Sequence, residues 1–408
     1  MEGKKMISKL TAGRTEVLQA YDYVILGNGV AGHNAAAAIR SQDKEGTILM
    51  ISDEAYRSYN RPMLTKTLTE ALTIEAIAIK PESWYEEMQI DQLLSCRAEA
   101  IRTEEKQVVL AGGMAVGYGK LVYALGAECF IPPIKGADQD GVIAVRRFTD
   151  TERVLAALQT AKHAVVIGGG VLGLEAAWEL RKAGCEVEVL ELAPVLMGRQ
   201  LDAEGGALLQ EIGEAEGVRI RTGVTIEAIT GAGHAEGVKL ADGTVIPADL
   251  VLISCGVRAN IALAQQAGLA VERAVVVNEK MQTSDPCIYA CGDCAQYNSL
   301  NYAILAQAMD EGKVAGNQAA GGGLTYHPKD AAIIFRGMNT ALFAAGDAGK
   351  DPELIYQTKE TYDADKKHYQ KYYFTDGKLC GAILIGDTSS MGKLMTALKN
   401  RVGYDEIG

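Results

Sequence analysis

The sequence lacks several features that mark common classes of protein. Aromatic residues make up only 6% of its 408 residues, and no uncharged apolar run approaches the ~20 residues that a membrane-spanning helix needs. The first ten residues contain lysines but no following apolar stretch, so the sequence predicts no signal peptide. The net charge is −12 and no long basic run is present, which argues against nucleic acid as the main partner. We therefore expect a cytoplasmic protein that binds neither a membrane nor a nucleic acid.

The cysteines show no organised spacing. Eight of them are scattered along the chain without the pattern of a disulfide scaffold or a zinc site. This distribution predicts a reducing compartment and no metal centre.

Glycine and apolar residues, by contrast, are abundant. The chain contains 45 glycines and 48% hydrophobic residues, which is typical of layered sheets and helices joined by many tight turns. A chain of this length predicts two or three domains rather than one.

Two glycine-rich segments follow apolar strands. Gly27–Gly32 (GNGVAG) comes after Tyr23–Leu26, and Gly168–Gly173 (GGGVLG) comes after Ala164–Ile167. In this motif one glycine allows a tight turn, one allows close approach of a pyrophosphate, and one allows a helix to pack on a strand. The phosphates then lie at a helix N-terminus. The candidate contacts are Gly27, Gly29, Val30, Ala31 and Gly32 in the first segment and Gly168, Gly170, Val171, Leu172 and Gly173 in the second. Two such motifs predict two bound dinucleotides and a redox relay.

The order of strands and helices predicts an α/β fold with two Rossmann-like dinucleotide-binding domains and a small α+β domain at the C-terminal end. We expect a polar arm over residues 1–20 and a first domain made of residues 21–149 and 281–325. The second domain, residues 150–280, is inserted into the first, and residues 326–408 form the third. Within these domains we predict a helix over Thr151–Ala161 and a terminal helix over Met391–Arg401.

Acidic residues stand after the second strand of each dinucleotide-binding domain. Asp53 and Glu54 follow the strand that ends at Ile51, and Glu191 follows the strand that ends at Leu190. A carboxylate there accepts hydrogen bonds from ribose hydroxyls and repels the 2′-phosphate of NADPH. The alternative, that Asp53 and Glu54 are solvated loop residues, stays open. Arg199 lies close enough in sequence to leave room for NADPH, but NADH is favoured.

Several further segments resemble those of a known family. Tyr59–Lys66 (YNRPMLTK) resembles the YxRPxLSK segment of FAD-containing, NADH-dependent ferredoxin and rubredoxin reductases, of apoptosis-inducing factor and of the FAD part of NADH-nitrite reductases. Tyr123–Ala127 is similar to their ATG segment, and Thr283–Asp293 is similar to their second FAD signature. The resemblance covers Tyr21 to about Ala320. It implies a glutathione reductase-like arrangement, with FAD at the first fingerprint and NADH at the second.

The same resemblance implies roles for individual residues around FAD. Arg61 and Lys66 would approach the flavin and its phosphates, with Lys66 near the flavin N5 edge, where a cation favours the anionic reduced flavin. Asp293 would bind the ribityl chain. The remaining implied FAD contacts are Ala98, Ala124, Leu125, Gly126, Arg146, Gly292, Leu305 and Ala306.

Glu175 matches a family glutamate at the junction of nicotinamide and flavin. We predict that Glu175 and Lys66, the two candidate catalytic residues, form an ion pair. The alternative is that Glu175 is simply a favourable acid in the first turn of a helix. The segment Ser254–Asn260 resembles the family's GxRxN turn over NAD, which makes Gly256 a further candidate contact.

The chemistry of the first half-reaction belongs to the cofactors, since hydride passes from nicotinamide to flavin and the protein supplies orientation. Relatives that reduce disulfides or peroxide carry a redox cysteine after the second strand or as a CxxC pair. Tyr59–Pro62 occupies the first position here without a cysteine. The pair Cys291 and Cys294 brackets the predicted FAD-binding Gly292-Asp293, and we expect it to have no catalytic role.

Electron transfer to a small iron or iron–sulfur protein is therefore the leading function, with rubredoxin as the favoured acceptor. Phe335–Thr340 and Leu384–Asp387 resemble the C-terminal domain of NADH:rubredoxin and nitrite reductase-type proteins. The block from Tyr326 onward is electrically neutral, and its cations could steer an acidic partner. The predicted patch consists of Lys366, Lys367, Lys371, Lys393, Lys399 and Arg401.

Other functions stay open. An NADH oxidase or diaphorase would pass electrons to oxygen or dyes, and a non-enzymatic NADH-binding redox sensor would keep its reduced complex for a long time. A nitrite reductase would need a cysteine-rich sirohaem and iron–sulfur region, which this sequence lacks. Monomer and homodimer are both compatible with the sequence.

Overall fold

The computed structural model describes residues 17–329 and 331–407. Most of the predicted N-terminal arm lies outside these ranges, and the first strand begins at Val17. The strands are β1 Val17–Leu26, β2 Ile48–Ile51, β3 Ile90–Leu93, β4 Ala98–Arg102, β5 Gln107–Leu110, β6 Ala115–Tyr123, β7 Ala127–Cys129, β8 Val142–Ile143, β9 His163–Ile167, β10 Glu186–Leu190, β11 Val218–Arg221, β12 Ile226–Thr230, β13 Gly237–Leu240, β14 Val245–Pro247, β15 Leu250–Ile253, β16 Val257–Ala259, β17 Val275–Val277, β18 Ile288–Ala290, β19 Ala295–Tyr297, β20 Ala332–Gly337, β21 Thr340–Gly346, β22 Gln357–Asp363, β23 His368–Thr375 and β24 Lys378–Ile385.

The helices lie between groups of these strands. They are α1 Val30–Gln42, α2 Met63–Lys66, α3 Ile74–Ile77, α4 Glu82–Glu87, α5 Phe148–Ala157, α6 Val171–Lys182, α7 Ala203–Ala215, α8 Ala262–Gln266, α9 Leu305–Ala319 and α10 Met391–Lys399, with short 3-10 turns at Gly292–Cys294 and Tyr404–Glu406. None of the helices described here is both long and apolar enough to cross a bilayer.

The chain divides into two compact units. Among the described residues, the first unit contains 17–60, Ile74–Glu128 and Ala259–Pro328, and the second contains Arg61–Thr73, Cys129–Arg258, Lys329 and 331–407. This division differs from the sequence-based border at residue 280, because β17 pairs with β19 and belongs to the first unit. The segment 61–73 joins the second unit, where α2 packs against α6.

A twisted sheet forms the centre of the first unit. Its strand order is β3-β2-β1-β6-β5-β4, with β18 also paired to β6. The pairs around β1 are parallel, and Val24, Ile25 and Leu26 are fully buried, as expected for strands that are covered on both faces. Helices α1 and α9 pack closely, since a Cβ at Gly316 would lie 2.2 Å from the carbonyl oxygen of Ala35.

The second unit contains a parallel sheet of order β11-β10-β9-β15-β8 and an antiparallel sheet β12-β13-β14. Helix α6 packs on β9 and β10, and α7 packs on β11. Helix α5 begins three residues earlier than predicted, at Phe148, because the carboxylate of Asp150 accepts hydrogen bonds from the backbone N–H groups of Arg146 and Arg147.

The C-terminal module, residues 331–407, belongs to the second unit. It is an antiparallel sheet of order β20-β21-β24-β23-β22 with α10 packed on β21 and β24. Side chains alternate along β21: Phe343 packs in the core beneath α10, whereas Leu342 packs in the core that includes α6 and α7. This period of two allows both faces of the sheet to be buried.

Candidate active site

The first fingerprint shows three glycines that are needed for different reasons. Gly27 has φ +100°, and a Cβ there would lie 2.2 Å from the carbonyl oxygen of Ala124. A Cβ at Gly32 would lie 2.1 Å from the carbonyl oxygen of Gly27. A Cβ at Gly29, by contrast, would have no atom within 4 Å. Packing within the protein therefore explains Gly27 and Gly32 but not Gly29, which leaves open space at the start of α1.

The second fingerprint repeats this arrangement. Gly168 has φ +116° and a Cβ there would lie 2.3 Å from the carbonyl oxygen of Ser254, while one at Gly173 would lie 2.0 Å from that of Gly168. A Cβ at Gly170 would again meet nothing within 4 Å. Gly29 and Gly170 are the N-caps of α1 and α6, and neither helix has a side-chain cap. Both N-termini therefore fit a pyrophosphate. Its oxygens can accept hydrogen bonds from the free N–H groups of the first helical turn, and the lack of a side chain at the glycine leaves room for it.

Hydrogen-bond register shows that the two loops are equivalent. The N–H of Gly27 donates to Ile51 and that of Gly168 donates to Leu190, each at 2.8 Å. The residue after each acceptor is therefore equivalent too, so Ser52 rather than Asp53 or Glu54 is the positional counterpart of Glu191. The ribose-binding role of Asp53 and Glu54 stays a prediction.

The loop after β2 is held by a neutral network. The hydroxyl of Ser52 donates to Asn28 Oδ1 at 2.9 Å, and Asn28 Nδ2 donates to the carbonyl oxygen of Tyr56 at 2.6 Å. Glu54 accepts a hydrogen bond from the hydroxyl of Tyr59 at 2.7 Å. The N–H of Cys96 donates to the carbonyl oxygen of Ser52, which brings the segment before Ala98 to this loop.

The loop after β10 is held instead by a carboxylate. Glu191 Oε2 accepts from the N–H of Gly169 at 2.6 Å, and Oε1 accepts from the N–H of Ala193 at 2.7 Å. Each carboxylate oxygen retains a lone pair that can accept a ribose hydroxyl. Arg199 is exposed on the segment that follows.

The predicted pairing of Lys66 with Glu175 is confirmed, at the long end of the range for an ion pair. Lys66 Nζ lies 4.0 Å from Glu175 Oε1, and the side chains are 48% and 4% exposed. A shorter contact comes from Thr65, whose hydroxyl donates to Glu175 Oε2 at 2.8 Å. Burial raises the pKa of Glu175, and the hydrogen bond from Thr65 and the positive charge of Lys66 oppose that rise.

The predicted FAD contacts Arg61 and Arg146 also belong to the second unit. Arg61 Nη1 donates to the carbonyl oxygen of Arg146 at 2.8 Å. The N–H of Arg146 in turn donates to Asp150 at 2.9 Å. The structure therefore brings these two arginines together through backbone contacts at the start of α5.

In the first unit, two of the predicted FAD contacts, Gly292 and Asp293, line a cleft at the start of α9. Asp293 and Gln307 line this cleft together with Glu311, and Leu305 and Ala306 form the first turn of α9. The helix has no side-chain cap. Gln307 Oε1 is buried without a hydrogen-bond partner among the described residues. An uncapped helix and an orphaned buried polar atom fit a polar group of a bound cofactor.

Glu311 supports the turn that carries Asp293. Its Oε2 accepts from the N–H of Gly292 at 2.8 Å. Gly292 has φ +78°, a conformation that side chains rarely adopt. Burial raises the pKa of Glu311 to about 8, despite the bond from Gly292.

The turns that follow β6 and β15, the strands next to β1 and β9 in their sheets, are equivalent as well. Gly126 has φ +64° and Gly256 has φ +90°. Asn260 fixes the first of these turns, because its Nδ2 donates to the carbonyl oxygen of Leu125 and its N–H donates to that of Gly126, both at 2.9 Å. A Cβ at Gly256 would have no atom within 4 Å.

The cysteine pair has the properties of unreactive thiols. Cys291 and Cys294 are completely buried. Burial raises the pKa of both, that of Cys294 to about 12. Because the thiolate is the nucleophile, the structure supports the expectation that the pair is not catalytic.

The predicted basic patch is not a continuous docking surface. Lys366 pairs with Asp363 at 3.3 Å and Lys367 pairs with Glu211 at 3.1 Å. Lys371 is only 13% exposed and lies within a cluster of three carboxylates. The patch prediction is therefore wrong for these three lysines, since acidic groups neutralise them, some nearby in sequence and some distant. Lys393, Lys399 and Arg401 lie at exposed positions on or after α10.

Four residues with a clear structural role at these sites were missed from sequence. They are Thr65, Asn260 and Glu311, together with Asp202, whose side chain caps the start of α7 by accepting from the N–H of Gly205 at 2.9 Å. Thr65 lies inside the YNRPMLTK segment and Asn260 inside the GxRxN-like turn, so the motifs themselves contained the signal. Asp202 and Glu311 carry no local signal, because nothing in the nearby sequence shows that Asp202 is partly buried and Glu311 buried.

Two equivalent dinucleotide loops on one chain define a class of protein, the flavin- and pyridine nucleotide-dependent reductases. Residues 21–319 match the family model described as pyridine nucleotide-disulphide oxidoreductase, and residues 333–402 match that of the rubredoxin NAD+ reductase C-terminal domain. The chain belongs to the pyridine nucleotide-disulphide oxidoreductase family. The description of this family is that of an oxidoreductase, and the two open fingerprints fit its dinucleotide cofactors, FAD and NADH.

Curated relatives include proteins of several kinds. The chain is 35% identical over 387 residues to a nitrite reductase [NAD(P)H] of Bacillus subtilis, covering 94% of this chain and 48% of the relative. It is 32% identical to an NADH oxidase of Methanocaldococcus jannaschii, covering 94% and 92%. It is 35% identical to a rubredoxin-NAD(+) reductase of Pseudomonas putida, covering 70% and 74%. The chain thus spans about half the length of its nitrite reductase relatives.

Solved structures show the same fold. A ferredoxin reductase from Rhodopseudomonas palustris matches with a TM-score of 0.87 and 29% identity, covering 94% of this chain and 96% of that one. The NADH:rubredoxin oxidoreductase from Clostridium acetobutylicum matches with a TM-score of 0.81 and 27% identity, covering 95% and 97%.

Proposed function

We propose that this flavoprotein takes hydride from NADH onto FAD and then passes electrons to a small redox protein, most readily rubredoxin. The observation that carries this proposal is the pair of equivalent loops in which Gly29 and Gly170 alone leave open space at a helix N-terminus. One bound dinucleotide donates hydride and the other accepts it, so a chain with two such loops is suited to hydride transfer between them.

In this proposal the first fingerprint holds FAD and the second holds NADH. Bound FAD supplies the hydride acceptor. Glu191 would orient the adenosine ribose of NADH, and its negative charge would disfavour the 2′-phosphate of NADPH. Glu175, held by Thr65, would keep Lys66 in place as the cation near the flavin.

The choice of acceptor rests on the C-terminal module. Its match to the rubredoxin NAD+ reductase C-terminal domain and the Pseudomonas putida relative support rubredoxin. A ferredoxin is a second acceptor of the same class, supported by the Rhodopseudomonas palustris neighbour. The buried, unreactive Cys291 and Cys294 argue against transfer through a disulfide.

A second candidate function is NADH oxidase. The Methanocaldococcus jannaschii relative carries that name and matches over 92% of its own length. In that case oxygen, rather than a protein, would reoxidise the flavin.

Anaerobic stopped-flow mixing separates these functions. FAD-loaded protein mixed with NADH should lose its flavin absorbance rapidly and regain it rapidly on addition of oxidised rubredoxin. Recovery with air but not with rubredoxin or ferredoxin would establish the oxidase instead. If NADH does not reduce the flavin at all, the proposed relay is wrong.

A further inference from the structure

Asp202 is the N-cap residue of α7, and both of its carboxylate oxygens have hydrogen-bond or ion-pair partners. Its Oδ1 accepts from the N–H of Gly205 at 2.9 Å. Its Oδ2 accepts from the hydroxyls of Tyr369 and Tyr373 at 2.8 and 2.9 Å and lies 2.8 Å from Lys371 Nζ. Burial would raise the pKa of Asp202, but these bonds outweigh burial and lower it to about 2. The carboxylate is therefore ionised at any physiological pH.

The three partners of Oδ2 all come from the C-terminal module. Tyr369, Lys371 and Tyr373 are alternate residues of β23, so their side chains share one face of that strand. Lys371 also contacts Glu360 at 2.9 Å and Glu204 at 3.2 Å. One face of β23 thus carries a charged contact to the start of α7.

A second contact reaches the residue before Asp202. Lys350, in the loop between β21 and β22, donates through Nζ to the carbonyl oxygen of Leu201. The C-terminal module therefore holds the end of one particular segment, residues 192–201, which connects Glu191 to α7. We call this segment the nucleotide loop.

The nucleotide loop bonds directly to the second fingerprint. The N–H of Leu201 donates to the carbonyl oxygen of Met197, and the N–H of Met197 donates to that of Gly169, both at 3.0 Å. Leu196 packs so closely that a Cβ at Gly169 would lie 2.6 Å from its side chain. Gly169 is also the residue whose N–H donates to Glu191. A continuous path of contacts thus runs from β23 through Asp202 and the nucleotide loop to the fingerprint.

We propose that the C-terminal module braces the NADH site, with Asp202 as the positioning residue that transmits its hold to the nucleotide loop. The inference rests on the proposed assignment of NADH to the second fingerprint. A loop that is already ordered loses little conformational entropy when a ligand binds, so the brace raises the affinity for the nucleotide. Asp202 touches neither the reacting atoms nor the fingerprint and acts through the loop.

The chain supplies a matched control for this brace. Lys367 of the C-terminal module pairs with Glu211 of α7 at 3.1 Å, at an exposed position away from the nucleotide loop. Breaking that pair removes another contact between the C-terminal module and α7 without touching Asp202 or Leu201. If a variant at Asp202 and a variant at Lys367 differ in nucleotide binding, the difference is therefore due to the nucleotide loop and not to weaker packing of the C-terminal module.

The test compares Asp202→Asn with Lys367→Met in FAD-loaded protein, with ADP-ribose as an unreactive probe of the nucleotide site. Asparagine is itself a good N-cap, so D202N retains the helix cap while it removes the charge that holds Lys371. We expect D202N to weaken ADP-ribose binding about tenfold in calorimetry, and K367M to leave it within about twofold. Amide exchange over residues 192–201 should accelerate in D202N only.

Each outcome bears on the proposal. Equal binding by D202N and the unmodified protein, or equal loss in D202N and K367M, would overturn the brace. Failure of the unmodified protein to bind ADP-ribose would instead refute the assignment of NADH to this site. If D202N does not fold, Tyr373→Phe removes a single hydrogen bond to Asp202 and should weaken binding in the same direction, and unchanged binding would then count against the proposal.

Discussion

At the residue scale, Gly29 and Gly170 carry the strongest indication of ligand binding. Both have backbone conformations that any residue adopts, with φ −65° and −83°. A side chain there would therefore cause no backbone strain and no clash within the protein. What it would obstruct is the space in front of the helix, where a pyrophosphate fits.

We predict opposite effects for Gly29→Val and Gly170→Val. G29V should abolish retention of FAD, because the branched side chain would occupy the space of its pyrophosphate. G170V should retain FAD and lose affinity for ADP-ribose by more than about tenfold. Flavin absorbance per mole of protein and calorimetry measure the two properties, and each variant is the control for the other. Loss of both ligands in both variants would contradict the separate assignments.

Thr65 is the second residue whose role is specific enough to test. Its hydroxyl lowers the pKa of the buried Glu175, so its removal should raise that pKa and increase the protonated fraction at a given pH. We expect Thr65→Val to shift the pH profile of flavin reduction by NADH to higher pH, and Thr65→Ser to leave it in place. Identical profiles for the two variants would show that the hydroxyl does not control Glu175.

At the element scale, most strands and helices follow from local pattern. The apolar runs at β1 and β9 and the glycines after them predicted both βαβ units. Helix ends were less predictable: α5 starts early because Asp150 caps it, and α10 ends at Lys399 because Arg401 adopts φ +49°. Such ends depend on one side chain or one dihedral angle rather than on periodicity.

The junction of α9 with the Gly292 turn predicts a pH-dependent stability. The pKa of Glu311 is raised in the folded state, to about 8, so its favourable contribution is complete below its unfolded pKa and is lost as the pH rises through the folded value. Because the loss accumulates between the unfolded and the folded pKa, the thermal midpoint of the protein should fall between about pH 5 and about pH 8 and level off at higher pH. Glu311→Gln should remove part of this fall, whereas Glu105→Gln, at an exposed turn, should not. A fall of equal size in all three proteins would exclude Glu311 as its source.

At the scale of the whole molecule, one architectural unit is used twice. The N–H of Gly27 donates to the carbonyl oxygen of Ile51, and the N–H of Gly168 donates in the same way to that of Leu190. The two dinucleotide loops therefore share this backbone hydrogen bond, although their side chains differ. The first loop is held by Asn28 and Ser52 and the second by Glu191. The C-terminal module adds contacts to the surroundings of the second loop, through Lys350 and Lys371.

The sequence by itself determined the family, the two fingerprints and the pairing of Lys66 with Glu175. These depend on glycine spacing and on short motifs, whose geometry is local or is implied by resemblance. Only the tertiary structure decided which acids are buried and what they hold. Asp202 meets Tyr369, which lies 167 positions further along the chain, and Glu311 meets Gly292 through the packing of a helix on a turn. Burial and hydrogen-bond partners arise from such distant contacts, so no local pattern of residues encodes them.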